Sequence, residues 1–132
     1  MVIKIRKIRS IKSPRKDVKE FLSLLKNTID DKNFNPDTDL FFNRKPENTQ
    51  TMLDLSFDNS DIIETLLQLD LKNYSETVID SDNNNPPYLY VFGVTFNNKE
   101  VYIKIKVRTV PNSMIICVSF HWAQHNISYP YV

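Results

Sequence analysis

Residues 88–122 read Tyr88-Leu-Tyr-Val-Phe-Gly-Val-Thr-Phe96, then Asn97-Asn98, then Lys99-Glu-Val-Tyr-Ile-Lys-Ile-Lys-Val-Arg-Thr-Val110, then Pro111-Asn112, then Ser113-Met-Ile-Ile-Cys-Val-Ser-Phe-His-Trp122. Each run is rich in β-branched and aromatic residues, and Asn-Asn and Pro-Asn are turn formers, so a three-stranded antiparallel meander is expected. The middle run alternates without interruption: Val101, Ile103, Ile105 and Val107 point one way, and Tyr102, Lys104, Lys106 and Arg108 the other. A two-residue turn at Asn97-Asn98 sets Phe96 opposite Lys99, with Val94, Phe92 and Tyr90 opposite Val101, Ile103 and Ile105. A turn at Pro111-Asn112 sets Val107, Ile105 and Ile103 opposite Ile116, Val118 and Phe120. On the other face the same count brings His121 to Tyr102 and Ser119 to Lys104.

Working outward, residues 1–12 form a basic strand or arm in which the alternation of Ile3 and Ile5 slips at Ile8 and Ile11. Ser13-Pro14 has the form of an N-cap followed by proline, and Val18, Phe21, Leu22, Leu25 and Ile29 then recur at helical spacing, which predicts a helix from about Pro14 to Asp30. Leu40-Phe41-Phe42 reads as a short strand, Glu47 to Leu55 as a short helix, and Asp58 as the cap of a third helix carrying Ile62, Ile63, Leu66 and Leu67. Residues 74–80 offer a weak strand, 81–87 a polar turn, and 123–132 a tail whose Tyr129 and Tyr131 can pin it to the sheet.

The expected class is α+β in one domain of residues 1–132: mainly helical over 14–69, the meander over 88–122, and about three helices on one face of an antiparallel sheet. The other face is left for solvent or ligand.

Composition narrows the chemistry. A chain of 132 residues, 41% hydrophobic and 25% charged, with no apolar run of membrane-spanning length, has the composition of a soluble domain. The basic N-terminus lacks the continuous apolar core of a signal peptide. The lone Cys117 allows no disulfide framework, so a cytoplasmic setting is expected. Gly93, the single glycine, excludes a phosphate-cradling loop that needs several, and no cofactor is expected. Charge is segregated: residues 1–16 hold seven cations and no acid, whereas 54–82 are acid-rich with Lys72 alone in opposition.

His121 and His125 have a spacing that pairs imidazoles on a helix, but on a strand residues four apart lie roughly 13 Å apart, and no metal is expected. Cys117 would share the Lys106 face and reads as inert. The row Tyr102, Lys104, Lys106 and Arg108 is explained by solvation of a sheet face. A phosphodiester also suits it, because His121, Ser119 and Arg44 bring an imidazole, a hydroxyl and a cation toward it, with only Glu100 to offset the charge. RNA cleavage by its own 2′-hydroxyl needs a base, an acid and cations, and no metal. His121 would serve as base or acid, Tyr102 would position phosphate or share proton transfer, and Lys104 and Lys106 would supply charge. Arg44, Lys45 and Arg108 would guide the backbone. Trp122, Tyr88, Tyr90, Tyr129 and Tyr131 are secondary candidates for stacking on bases.

Five pieces in order, Gln50-Thr-Met-Leu-Asp-Leu55, Asp61-Ile-Ile-Glu64, Tyr90-Val-Phe-Gly93, Glu100-Val-Tyr-Ile-Lys-Ile-Lys106 and Cys117-Val-Ser-Phe-His121, with the terminal Tyr129-Pro-Tyr131, resemble the MqsR toxin family. The resemblance covers residues 18–131. It implies a RelE-like fold, metal-independent degradation of messenger RNA, and a cognate antitoxin protein as partner, with the ribosome a candidate further partner and no membrane. Tyr102 matches that family's functional tyrosine. The chain departs from the better-known branch where it has Ser75 and His121 in place of lysines and Leu89 near a glutamine. Two other readings stand beside the ribonuclease: a non-catalytic module that binds nucleic acid or protein through the basic face, and an interaction protein that uses the acidic surface of residues 54–82.

Overall fold

The computed structural model describes residues 8–80 and 87–132. The elements follow as β1 (Ile8–Ile11), α1 (Arg15–Asp30), β2 (Leu40–Phe42), α2 (Pro46–Leu55), α3 (Asn59–Leu67), a 3-10 turn (Leu71–Asn73), β3 (Tyr74–Asp80), β4 (Leu89–Phe96), β5 (Lys99–Arg108) and β6 (Met114–Trp122). The fold is α+β. Among the described residues six strands lie in the order β1-β3-β4-β5-β6-β2, antiparallel throughout except for the parallel pair β2 and β6. The first seven residues of the expected basic arm, and 81–86 of the expected polar turn, lie outside the described residues.

The core lies between one sheet face and the helices. In α1, Val18, Phe21, Leu22, Leu25 and Ile29 form a buried stripe, and the ring of Phe21 stacks on Tyr90 with centroids 4.1 Å apart. Leu25 is fully buried, so truncating it to alanine costs about 2–5 kcal/mol. Asp58 accepts from the backbone N–H of Asp61, whose carboxylate accepts from the N–H of Asp58, a reciprocal cap that starts α3 where the sequence predicts it. Ser13, by contrast, does not cap α1. Pro14 holds the cap position, and Ser13 is buried as a connector: its N–H donates to the Tyr74 hydroxyl, its hydroxyl bonds that of Thr77, and its carbonyl accepts from Tyr131.

Asn97 and Asn98 both adopt positive φ, 53° and 66°, as a tight turn between right-twisted strands requires. The β4–β5 register is the one expected, with Phe92 opposite Ile103 and Tyr90 opposite Ile105. The β5–β6 register agrees at only one end. Tyr102 faces His121, Ile103 faces Phe120 and Lys104 faces Ser119, but Ile105 pairs with Cys117 and Val107 with Ile115 instead of Val118 and Ile116. The loop between Arg108 and Met114 holds five residues, so the hairpin begins one residue out of the expected phase, and a bulge at Val118 restores it. Cys117 therefore points into the core opposite Ile105, not to the Lys106 face, and is fully buried.

β2 pairs with β6 only as far as Cys117, so beyond it the backbone groups on the outer edge of β6 have no strand beside them. Side chains of α2 take them up. Asn48, with no exposed surface, donates to the carbonyls of Val118 and Asn43 and accepts from the N–H of Phe120, and Thr51 accepts from the N–H of Trp122. Two polar side chains thus do the work of a neighbouring strand.

Candidate active site

The bulge turns Ser119 and His121 onto the sheet face away from the helices, beside Tyr102 and Lys104. There they line a cleft of about 470 Å³ together with Lys45, Ser75, Glu76, His125 and Ile127. Residues 124–128 of the tail wall one side of this outer face. Tyr129 anchors that wall by lying over Gly93 and donating to the carboxylate of Glu100. A Cβ on Gly93 would fall 2.2 Å from the tyrosine oxygen, which explains a glycine in mid-strand.

The imidazole of His121 stacks on the ring of Tyr102, with centroids 5.4 Å apart and planes inclined by 18°. Its Nδ1 lies 2.9 Å from the carbonyl oxygen of Trp122. A carbonyl only accepts, so Nδ1 carries the proton and Nε2 of the neutral ring keeps its lone pair. Among the described residues none bonds Nε2, and it is not a sealed atom. This is the form a general base requires.

Two cations enter beside it. Lys45 reaches from the start of α2 and donates to the Ser119 hydroxyl at 2.9 Å. Burial, with help from Lys45, pushes the Lys104 ammonium below its ordinary value, while Glu76 pulls it back up. Burial and then Glu76 raise the Tyr102 phenol above its ordinary value, so Tyr102 is a protonated donor at neutral pH. No ion pair closes inside the cleft among the described residues, and the cations there are available to an anion.

Of the residues proposed from sequence, Tyr102, His121, Lys104 and Lys45 come together in the cleft. Lys106 lies one row further along the same face of β5. Arg44 and Arg108 do not join them. Arg44 turns the other way from Lys45, into a groove with Asp37, Phe42 and Asp58, its guanidinium 5.8 Å from the Phe42 ring. Arg108 lines a third groove with Asp17, Glu20 and Tyr88 at the end of β5. The proposed stacking aromatics are mostly engaged elsewhere: Tyr90 on Phe21, Tyr131 on Tyr74, and Trp122 through its indole N–H to Asp54.

Sequence reasoning missed Glu76 and undervalued His125. Glu100, the acid it expected at the edge of the basic row, is held by Tyr129, and the acid that faces the cations is Glu76. A bulge between Tyr74 and Glu76 in β3 breaks the alternation that would have revealed its face. His125 lines the cleft because the tail folds back, which strand spacing does not describe.

Comparison with known proteins gives no match: no protein-family model, curated relative or solved structure shows significant similarity to this chain.

Proposed function

We propose that this chain is a metal-independent endoribonuclease, and that it acts in the cytoplasm as the toxin of a toxin–antitoxin pair, with messenger RNA as substrate. The observation that carries the reading is the His121 imidazole, stacked on Tyr102 and fixed through Nδ1, with Nε2 free in a cleft that holds Lys45 and Lys104. The resemblance to the MqsR family in residues 18–131 supports the toxin role and the antitoxin partner.

In this mechanism Nε2 of His121 takes the proton of a ribose 2′-hydroxyl, and the oxygen attacks the adjacent phosphorus. The phosphorane gathers negative charge, which Lys104 and Lys45 stabilise at close range in a partly desolvated cleft. Tyr102 donates its hydroxyl proton in a hydrogen bond to a non-bridging oxygen and orients the imidazole by stacking. His125, on the tail wall, is the general acid that protonates the departing 5′-oxygen, and the products end in a 2′,3′-cyclic phosphate and a 5′-hydroxyl. Glu76 opposes the loss of charge that burial imposes on Lys104.

The test is an RNA carrying one 2′-deoxynucleotide on the 5′ side of a mapped cleavage position. Removing the attacking oxygen abolishes cleavage at that position and spares the others. Cleavage that continues there rules out 2′-hydroxyl attack, and salt-sensitive binding without any product favours the non-catalytic module.

A further inference from the structure

Beside the cleft the outer sheet face carries a second row of residues that the proposed chemistry does not use. Phe41 in β2 lies opposite Ile116 in β6, and Ile116 lies opposite Lys106 in β5. Leu40 and Phe42 are buried in the core while Phe41 is 53% exposed, so Phe41 points outward. Ile116 stands between the buried Ile115 and Cys117, and Lys106 between the buried Ile105 and Val107, so both share that outward face. The row runs from an aromatic ring through an aliphatic side chain to an ammonium.

Its position relative to the cleft is fixed by strand geometry. Lys106 is two residues from Lys104, about 6.7 Å along β5, and the row crosses three strands over about 10 Å. Phe41 is the only aromatic among the large exposed hydrophobic side chains of the described residues; the others, Ile11, Leu24, Leu53, Val110 and Val132, are aliphatic and lie on other elements. An exposed aromatic on a sheet, with a cation at one end and the cations of the cleft alongside, complements a single-stranded polyanion whose bases have stacking faces.

Building on the ribonuclease reading of the adjoining cleft, we propose that Phe41, Ile116 and Lys106 form the subsite for the RNA nucleotide next to the scissile phosphate. The base lies on Phe41 and Ile116, and the phosphate beyond it meets Lys106. Such a platform accepts any base, so it adds affinity and directs the strand across β5 and β6 without selecting a sequence.

The experiment measures binding of a fluorescein-labelled single-stranded hexanucleotide RNA to the His121→Ala protein, so that cleavage does not interfere, with Phe41→Ala, Phe41→Trp and Lys106→Gln added singly. Phe41→Ala should weaken binding about 5- to 150-fold, Phe41→Trp should restore it, and Lys106→Gln should reduce the salt slope by about one. Far-ultraviolet circular dichroism confirms that each variant is folded. A folded Phe41→Ala protein that binds the RNA as tightly as its parent overturns the subsite and leaves the exposed ring to a protein partner. A parent that binds no RNA overturns it too. Loss of binding in Phe41→Ala with no cleavage by the unmutated chain would sink the ribonuclease reading while the stacking surface stands; cleavage with binding indifferent to Phe41 would do the reverse.

Discussion

The side-chain oxygen of Asn48 accepts the backbone N–H of Phe120 at 3.0 Å, and through that bond helix α2 fixes the part of β6 that presents His121. The amide nitrogen of Asn48 donates at the same time to the carbonyl of Val118, the bulged residue. One buried amide therefore holds both sides of the irregularity that places Ser119 and His121 beside Tyr102 and Lys104. The placement of His121 thus depends on a residue more than seventy positions away in sequence.

Replacing Asn48 by alanine leaves those two backbone groups without partners, the N–H of Phe120 in a buried position and the carbonyl of Val118 in a partly buried one. Each buried unsatisfied group costs about 1–3 kcal/mol, so Asn48→Ala should lower unfolding free energy by about 2–6 kcal/mol. Urea denaturation followed by circular dichroism measures this. A loss below about 0.5 kcal/mol, the range of ordinary surface changes, would show that the amide does not hold the bulge.

Tyr102 has two separable parts. Tyr102→Phe retains the ring on which His121 stacks and removes only the hydroxyl. Stability should change by less than about 0.5 kcal/mol, while kcat for RNA cleavage should fall about 10- to 1000-fold, the effect of deleting a transition-state hydrogen-bond donor. Equal kcat for the two proteins would remove the phenol from the mechanism and leave Tyr102 as a support for the imidazole.

Gly93→Ala places a methyl group where the Tyr129 hydroxyl sits. The tail must lift, its bond to Glu100 must break, and the wall carrying His125 is displaced. The expected cost is about 1–3 kcal/mol, as for overfilling other close contacts. Limited proteolysis should cut the tail faster in the variant than in the parent. Identical cleavage patterns would mean that Tyr129 does not pin the tail.

Burial pushes the Cys117 thiol from its ordinary value near 9 up to about 12. The folded state holds this proton more tightly than the unfolded chain does. The associated stability is therefore complete below pH 9 and declines as pH rises toward 12. Stability curves for the parent and Cys117→Ala should converge in slope below that window and diverge within it, the parent falling more steeply. At pH 8 a thiol reagent such as DTNB should modify the native protein only as fast as it opens. Immediate reaction in the absence of denaturant would contradict the buried placement.

Much of this fold was legible because local patterns and tertiary burial agree. The unbroken alternation of residues 101–107, the Asn97-Asn98 turn and the apolar stripe of α1 each specify an element without outside help. The sites of failure are places where a side chain substitutes for backbone or the chain changes phase. Ser13 resembles a helix cap but serves Tyr74 and Thr77; the five-residue loop before β6 shifts the register so that Cys117 faces the core; a bulge in β3 carries Glu76 into the cleft. The pairs Tyr102–His121 and Lys104–Ser119 were readable because they lie beyond the bulge, where the simple count regains its phase. Arg44 and Lys45 show a further limit: adjacent residues in a loop have no periodicity, and these two turn into different grooves.

The most direct measurement of the central claim is incubation of the purified chain with a defined messenger RNA in EDTA, alone and with ribosomes, beside the His121→Ala protein, followed by analysis of the product ends. Cleavage in EDTA is expected, with products ending in 2′,3′-cyclic phosphate or 3′-phosphate, and those products are lost in the variant. RNA left intact by the unmutated protein under both conditions, or cut equally well by His121→Ala, would contradict it.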